Sequence, residues 1–319
     1  MAGAFGRIAI DACRGGAHAM TMRMIHKALA PFIAIGMAVS GASAEQAPAP
    51  IATTPPAPGY TMPSTQVWDM TADSGEVYRI FVSYPAAGTA VPEGGFPVLY
   101  VLDGNAMFAG FAEARRIQEF SDIGKSIVVG VGYPTDQPYD TRRLYDYTGG
   151  PPPAPWQATF AKVRSGGWNV FLDFLTGQLR REIARRYMIN LDRQALFGHS
   201  LGGLFAIHAL FTHPGAFHAI IAASPSLFWH EREMLAEERD FAVCLQASRT
   251  EKVSRLMVVD GDREETALER WEPEAFVKRM EPLSAYGLFV RSETYAGEGH
   301  ITVPSRSVTD TLRFAFSWP

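Results

Sequence analysis

A serine between glycines is the candidate nucleophile of this sequence. Residues 198–202 read Gly198-His199-Ser200-Leu201-Gly202, which matches the pattern G-x-S-x-G, and Gly203 follows. The apolar residues before this pattern predict a strand, and residues 201–212 predict a helix. A sharp turn between a strand and a helix needs small flanking residues, and it places the serine at a helix N-terminus. The pattern therefore predicts Ser200 as a catalytic nucleophile.

A histidine near the end of the chain is the candidate base. A serine hydroxyl is a weak nucleophile and needs a base, and on folds with this turn the order is serine, acid, histidine. His300 follows the last predicted strand, in the loop Gly297-Glu298-Gly299-His300. Imidazole titrates near neutral pH, which suits a group that takes and returns a proton. We predict His300 as the base and keep His230 as a weaker alternative.

The acid is expected in the loop after the strand predicted at residues 255–259. That loop reads Asp260-Gly261-Asp262-Arg263-Glu264-Glu265 and offers four carboxylates. In these folds the acid often comes three residues after a loop glycine, which favours Glu264. Asp262 is the next candidate, and Glu265 also stays open. The role of the acid is to orient the histidine and to stabilise its charged form.

Two backbone N–H groups are expected to form an oxyanion hole. One belongs to Leu201, directly after the nucleophile. The other should come from the loop Asp103-Gly104-Asn105-Ala106, which follows an apolar strand and begins a helix. We assign the second donor to the backbone of Asn105.

Apolar runs alternate with helical patterns along the chain, which predicts an α/β fold. Continuous apolar runs are typical of strands buried on both faces of a parallel sheet. The predicted strands are 77–84, 97–102, 126–132, 194–198, 219–223, 255–259 and 288–295, and the predicted helices are 106–120, 168–187, 201–212, 232–247, 273–285 and 304–316. This alternation predicts the α/β-hydrolase fold, a doubly wound, mostly parallel sheet with helices on both faces.

The N-terminal segment has the three parts of a secretory signal peptide. A basic start (Arg23 to Lys27) precedes an apolar run at 28–39 and the small-residue cleavage site Ala42-Ser43-Ala44. Residues 45–63 are rich in Ala, Pro and Thr, which indicates a flexible linker. We expect a signal peptide at 1–44, the linker at 45–63 and a catalytic domain at 64–319. Signal cleavage would leave an exported protein without a stable membrane anchor.

Composition narrows the functional classes. Hydrophobic residues make up 47% and charged residues 19% of the chain, as expected for one sizeable core. The formal net charge of −4 offers no basic surface for nucleic acid. Neither a His-Glu-x-x-His motif nor a pair of closely spaced cysteines is present, so we expect neither a metal nor an organic cofactor.

The sequence resembles a family of α/β-hydrolase esterases that includes S-formylglutathione hydrolases, feruloyl and acetyl esterases, mycolyltransferases and siderophore esterases. Within it, the sequence most resembles the trilactone esterases that cut enterobactin-type and salmochelin-type siderophores. The segments that carry the resemblance are 97–105 (PVLYVLDGN), 129–134 (VGVGYP), 142–143 with 146–148 (RR and DYT), 198–203 (GHSLGG), 223–229 (ASPSLFW) and 299–300 (GH). The resemblance implies Ser200 and His300 as catalytic residues.

The resemblance also suggests residues that contact substrate. A ferric catecholate trilactone is large, anionic and aromatic, so Arg142 and Arg143 would meet its charge, and Tyr147 and Trp229 would stack on its rings. Tyr145 and Phe228 are further stacking candidates. The alternative is structural: the arginines form an ion-pair network with Asp146, and Phe228 and Trp229 belong to the core.

These observations lead to three functional hypotheses. The first is a serine carboxylic-ester hydrolase that forms an acyl-enzyme, with a siderophore trilactone or related ester, such as a ferric siderophore, as its small-molecule partner. The second is the same machinery acting on feruloyl, acetyl or small acyl (thio)esters. The third is a non-catalytic binding protein on the same fold. The siderophore likeness favours the periplasm as the destination after export.

Overall fold

Eight strands form a single mixed sheet in the computed structural model, which describes residues 60–247, 255–264 and 267–317. The strands are β1 Thr65–Thr71, β2 Val77–Ser83, β3 Phe96–Leu102, β4 Ile127–Gly132, β5 Ile189–His199, β6 Ala219–Ala223, β7 Arg255–Gly261 and β8 Phe289–Tyr295. Their order is β1-β2-β4-β3-β5-β6-β7-β8. The pairs β1–β2 and β2–β4 are antiparallel, and every pair from β4 to β8 is parallel.

The sheet confirms the seven predicted strands with small shifts at their ends. Apolar runs explain this agreement, because β3, β4 and β6 are almost completely buried. The prediction of β5 was too short at its N-terminal end, where residues 190–193 are exposed or only partly buried. Sequence analysis missed β1, a largely exposed strand at one edge of the sheet. Its stability depends on backbone pairing with β2, and its sequence carries no long apolar run.

Helices cover the sheet in two groups. The α-helices are α1 Gly104–Arg116, α2 Arg143–Tyr147, α3 Ala154–Gln157, α4 Trp168–Asp173, α5 Arg180–Arg186, α6 Leu201–Thr212, α7 Glu231–Gln246, α8 Ala267–Met280, α9 Val303–Arg306 and α10 Val308–Phe316. A π-helical turn, Phe174–Leu179, joins α4 to α5, and 3₁₀ turns span Leu227–His230 and Glu281–Tyr286. One group comprises α1, α9 and α10, and the other is built around α6 with α2 and α7. This architecture is the α/β-hydrolase fold.

The short helices α2 and α3 were not predicted, since each has only one or two turns and no amphipathic period. The expected signal peptide and most of the linker lie outside the described residues. The extent of the catalytic domain therefore stays a prediction. None of the helices in the described part of the chain is long and apolar enough to cross a membrane.

Three residues with a strained backbone lie at the C-terminal ends of the parallel strands. Asp103, Ser200 and Ser224 directly follow β3, β5 and β6, and all three have positive φ values, of 51°, 60° and 42°. Such conformations are costly for residues other than glycine, and they occur mainly at functional sites. The three neighbouring strand ends are therefore the region of the fold where a site is expected.

Glycines make the turn around Ser200 sterically feasible. A Cβ atom on Gly198 would collide with the backbone carbonyl of Gly202, and a Cβ atom on Gly203 would lie 3.0 Å from Cα of Pro225. The turn from β5 to α6 is thus packed backbone against backbone. This packing is the physical reason for Gly198 in the G-x-S-x-G pattern and for Gly203 directly after it.

We expect Gly198→Ala to lower the free energy of unfolding by about 2 kcal/mol, because backbone atoms must move to admit the methyl group. Gly110→Ala is the matched control. Gly110 lies within α1, where a Cβ atom would meet only Val308, at 4.0 Å. Alanine is favoured over glycine in a helix by up to about 1 kcal/mol, so this control should be neutral or stabilising. Chemical denaturation of both variants measures the difference, and equal stabilities would contradict the steric argument.

Candidate active site

The backbone of Ser200 is held between β6 and the segment that follows it. Its N–H donates to the carbonyl of Ala223 at 2.9 Å, and its carbonyl accepts from the N–H of Ser226 at 3.1 Å. These two bonds hold a residue whose φ of 60° and ψ of −120° are unfavourable for serine. The nucleophile candidate therefore sits on a rigid turn.

The Ser200 hydroxyl has a second serine beside it. Its Oγ lies 3.2 Å from Oγ of Ser226, and either hydroxyl can be the donor. Ser226 is 5% exposed, so this contact is shielded from water. Sequence analysis assigned no role to Ser226. The only sequence signal was its place in the segment 223–229 that carries the family resemblance.

A buried carboxylate is joined to the candidate base. Oε2 of Glu264 lies 3.0 Å from Nδ1 of His300, and both side chains are almost fully buried. The other oxygen, Oε1, accepts from the hydroxyl of Ser224 at 2.5 Å and from the N–H of Gly261 at 3.2 Å. A carboxylate with three donors is satisfied without solvent. The structure thus places Glu264, among the candidate acids, against His300.

The neighbouring carboxylates differ from Glu264 in their surroundings. Asp262 is exposed and accepts from the N–H of Gly297 at 2.7 Å, which ties the two loops together. Asp260 lies at the end of β7, and burial raises its pKa to about 6. Glu265 lies outside the described residues. Of these carboxylates, the hydrogen bonds favour Glu264 as the triad acid.

The contact with Glu264 determines the tautomer of the neutral His300 imidazole. A carboxylate oxygen accepts, so Nδ1 carries the proton and donates to Glu264, which leaves Nε2 with a lone pair. The carbonyl of His300 lies 2.8 Å from Nε2 of His199, which directly precedes Ser200. His300 is thereby held beside the strand that carries the nucleophile. The alternative base, His230, ends a 3₁₀ turn, and its side chain lies outside the described part.

The two proposed oxyanion donors follow neighbouring strands. Leu201 begins α6 after β5, and Asn105 lies in the first turn of α1 after β3. First-turn N–H groups have no acceptor within their own helix, and among the described residues these two have no other acceptor. The loops touch, because a Cβ atom on Gly202 would lie 3.6 Å from the Asp103 carboxylate. Two unpaired donors at one edge can bind a developing oxyanion.

The Asn105 side chain anchors its own loop. Its amide nitrogen donates to the carbonyls of Tyr133 and Thr135, at 3.0 and 2.8 Å, and its amide oxygen accepts from the N–H of Tyr133. Gly132 leaves the room for this contact, because a Cβ atom there would collide with Oδ1 of Asn105. The side chain therefore fixes the backbone whose N–H is the proposed donor.

Arg143 and Tyr147, predicted to contact substrate, are buried in support of the same loop. Arg143 makes a two-pronged ion pair with Asp103, with both N–O distances 2.8 Å. The Tyr147 hydroxyl accepts from the N–H of Asp103 at 3.1 Å, and its side chain is fully buried. These contacts favour a structural role for both residues, because they hold Asp103 in its left-handed conformation. Direct contact with substrate stays an untested prediction for them.

Arg142 and Trp229, the other two predicted substrate residues, have different surroundings. The Arg142 side chain is 38% exposed, and it pairs with Asp140 at 3.0 Å. Trp229 is 8% exposed and packs near Phe160, with ring centroids 6.2 Å apart. Within the described part of the chain, its buried Nε1 has no hydrogen-bond partner. Arg142 thus retains the accessibility that a substrate contact needs, whereas Trp229 lies largely in the core.

Helix α2 also carries a buried acid. Asp146 accepts hydrogen bonds from the hydroxyls of Tyr78 and Tyr133, at 2.9 and 2.8 Å. Burial raises the pKa of Asp146 to about 7, although both hydrogen bonds favour the charged form. The expected ion-pair network of Asp146 with the neighbouring arginines was wrong: Asp146 accepts from tyrosine hydroxyls, whereas Arg142 pairs with Asp140 and Arg143 pairs with Asp103.

The sheet order and the serine turn between β5 and α6 define the protein as an α/β hydrolase. The family model described as "Putative esterase" matches residues 73–289, and the chain belongs to this esterase family. The protein is therefore an ester hydrolase.

Among the described residues, no three His, Cys, Asp or Glu side chains gather where they could hold a metal ion.

Three comparisons illustrate the relationship. The chain is 34% identical to the ferri-bacillibactin esterase BesA of Bacillus subtilis (strain 168) over 271 residues, 80% of this chain and 91% of the relative. It is 34% identical to the siderophore triacetylfusarinine C esterase of Aspergillus fumigatus over 288 residues, 81% and 95% of the two chains. The crystal structure of the BES protein from Bacillus cereus has a TM-score of 0.73 and 31% identity, and the match covers 83% of this chain and 99% of that one.

The assignment of the acid predicts unequal effects for two neighbouring carboxylates. We expect Glu264→Gln to lower kcat/KM by about 10²- to 10⁴-fold, because the amide neither stabilises the charged imidazole nor enforces the required tautomer. Asp262→Asn should stay close to wild type. Steady-state kinetics with a p-nitrophenyl ester measure both. A larger loss of kcat/KM in Asp262→Asn than in Glu264→Gln would identify Asp262 as the acid instead.

The buried Asp146 predicts a pH-dependent stability. An unfolded Asp loses its proton near pH 3.9, whereas the folded state keeps it up to about pH 7. Between these values the folded state binds more protons, so this contribution to stability is lost as the pH rises through the window. Asp146→Asn does not titrate, so its Tm relative to wild type should rise from pH 4 to pH 7. The exposed Asp122→Asn serves as the control, and a constant difference for Asp146→Asn would contradict the assignment.

Proposed function

We propose that this protein is a serine esterase that cleaves a siderophore ester, such as a trilactone, through an acyl-enzyme. The observation that carries the proposal is the Glu264–His300 pair beside the strained turn of Ser200. A buried carboxylate that orients a histidine next to a hydroxyl is the arrangement that activates a serine nucleophile.

The first half of the reaction forms the acyl-enzyme. Nε2 of His300 takes the proton of the Ser200 hydroxyl while Oγ attacks the ester carbonyl carbon. The carbonyl oxygen becomes an oxyanion that accepts hydrogen bonds from the N–H groups of Leu201 and Asn105. The bond to the alcohol oxygen then breaks, and His300 donates the proton to the leaving alkoxide.

The second half of the reaction releases the acid product. A water molecule gives its proton to His300 and attacks the acyl carbon, and the same two N–H groups stabilise the new oxyanion. The bond to Oγ breaks, and Ser200 regains its proton from His300. The carboxylate of Glu264 stabilises the imidazolium in both halves without taking the proton.

Relatives support the substrate class. The two esterases compared above are named for ferri-bacillibactin and triacetylfusarinine C, and their matches cover 80% and 81% of this chain. The partly exposed guanidinium of Arg142 is available to an anionic chelate. Aromatic side chains near Trp229, including Phe160 and Phe228, are only partly buried and provide surface for large acyl groups. Export to the periplasm is part of the proposal and rests on the signal-peptide pattern in residues 1–44.

Mass spectrometry of an intact trilactone siderophore tests the proposal. We expect wild type to add water stepwise to the apo and ferric forms, and Ser200→Ala to lose activity by at least about 10⁴-fold. The control is Ser121→Ala, because Ser121 lies in an exposed turn where its hydroxyl bonds the carbonyl of Gln118.

Two outcomes would contradict different parts of the proposal. Hydrolysis of a p-nitrophenyl ester without siderophore cleavage would keep the serine mechanism and move the substrate to feruloyl, acetyl or small acyl esters. Failure of Ser200 to react with a fluorophosphonate in folded protein would favour a binding protein on this fold.

A further inference from the structure

The residue before the nucleophile has a buried imidazole that the proposed mechanism does not use. His199 ends β5 and is 3% exposed. Its Nε2 lies 2.8 Å from the backbone carbonyl oxygen of His300, and the two imidazole rings are 4.8 Å apart between centroids. A residue adjacent to the nucleophile in sequence thus contacts the base across 101 residues of chain.

The contact defines the tautomer of His199. A carbonyl oxygen can only accept, so Nε2 carries the hydrogen and Nδ1 has a lone pair. In the described part of the chain, the buried Nδ1 has no hydrogen-bond partner. Burial lowers the pKa of His199 well below its usual value, and the neighbouring His300 and Arg143 side chains act in the same direction. His199 is therefore neutral at neutral pH and donates a single hydrogen bond.

This hydrogen bond gives His300 a second anchor. Glu264, in the loop after β7, holds the imidazole through Nδ1, and His199, on β5, holds the backbone through the carbonyl. The loop that carries His300 contains Gly297, which has a φ of 83°, and glycine leaves a backbone freer than other residues do. Without the bond to β5, the separation of base and nucleophile would depend on that loop.

We propose that His199 is a positioning residue that sets the distance between His300 and Ser200 by tying the base to the nucleophile's own strand. The inference rests on the proposed function, because it takes Ser200 and His300 as nucleophile and base. A neutral donor suits this position. A charged His199 would repel the imidazolium that forms on His300 during each proton transfer.

Two amide substitutions of His199 test whether the position of the hydrogen-bond donor matters, or only the presence of a polar side chain. In His199→Gln, the amide nitrogen takes the place of Nε2 and can donate to the same carbonyl. In His199→Asn, the amide nitrogen takes the place of Nδ1 and falls short of it. The control is His218→Leu, which removes an imidazole whose two ring nitrogens lie 2.9 and 3.0 Å from the backbone carbonyl oxygens of Gln194 and Ala315.

Kinetics with a p-nitrophenyl ester, together with Tm, measure the effect. We expect His199→Asn to lower kcat by about 100-fold with little change in KM, since a misplaced base slows chemistry more than binding. His199→Gln should recover most of kcat at the same Tm as His199→Asn. It should also keep the wild-type midpoint of the acid limb in the pH profile, because His199 does not titrate there. His218→Leu should lower Tm and leave kcat unchanged.

Results that contradict the role of His199 differ from results that contradict the proposed function. Equal kcat values for the Asn and Gln variants would overturn the positioning role, and so would a shifted acid limb in His199→Gln. Full activity of Ser200→Ala would instead overturn the proposed nucleophile. An inactive Ser200→Ala beside a fully active His199→Asn would remove only the present inference.

Discussion

The arrangement of the site depends on the hydrogen bonds that the buried carboxylate of Glu264 accepts. A carboxylate without water must receive hydrogen bonds, and this one receives them from Ser224, Gly261 and His300. The three donors come from the ends of β6, β7 and β8, so one charged group ties three neighbouring strand ends together. Two residues after Ser224, Ser226 contacts the nucleophile. A single short segment, 224–226, thereby holds the acid at one end and the serine at the other.

Strain at the strand ends is balanced by specific contacts. Arg143 and Tyr147 hold the left-handed backbone of Asp103. The positive-φ backbone of Ser200 is held by hydrogen bonds to Ala223, at the end of β6, and to Ser226, which follows β6. Such conformations persist only where the surroundings over-determine them. In the proposed mechanism, these contacts orient the two backbone donors before substrate arrives, which is the condition for stabilising a developing oxyanion efficiently.

The polar residues in and next to helix α2, which are Arg142, Arg143, Asp146 and Tyr147, show that a sequence motif near a site can have a supporting role. Arginine and tyrosine near a site suggest contacts with an anionic, aromatic substrate. In the fold, Arg143, Asp146 and Tyr147 are turned inward, whereas Arg142 and Tyr145 remain partly exposed. Arg143 and Tyr147 thus support the loop of Asn105 through Asp103. The half-buried aromatic residues near Trp229 are another surface that the proposed substrate could contact.

Sequence alone predicted seven of the eight strands and the turn at Ser200, because apolar runs and glycine spacing are local signals. The fold that this turn predicts supplied the expected order of serine, acid and histidine. It also narrowed the acid to one loop. Tertiary structure placed Glu264 rather than Asp262 against His300, turned Arg143 inward, and brought Ser226 and His199 into contact with residues 26 and 101 positions away in the chain. The edge strand β1 likewise appeared only through its pairing with β2. Burial and hydrogen bonding between distant segments depend on how the strands are ordered in the sheet, and no local pattern encodes that order.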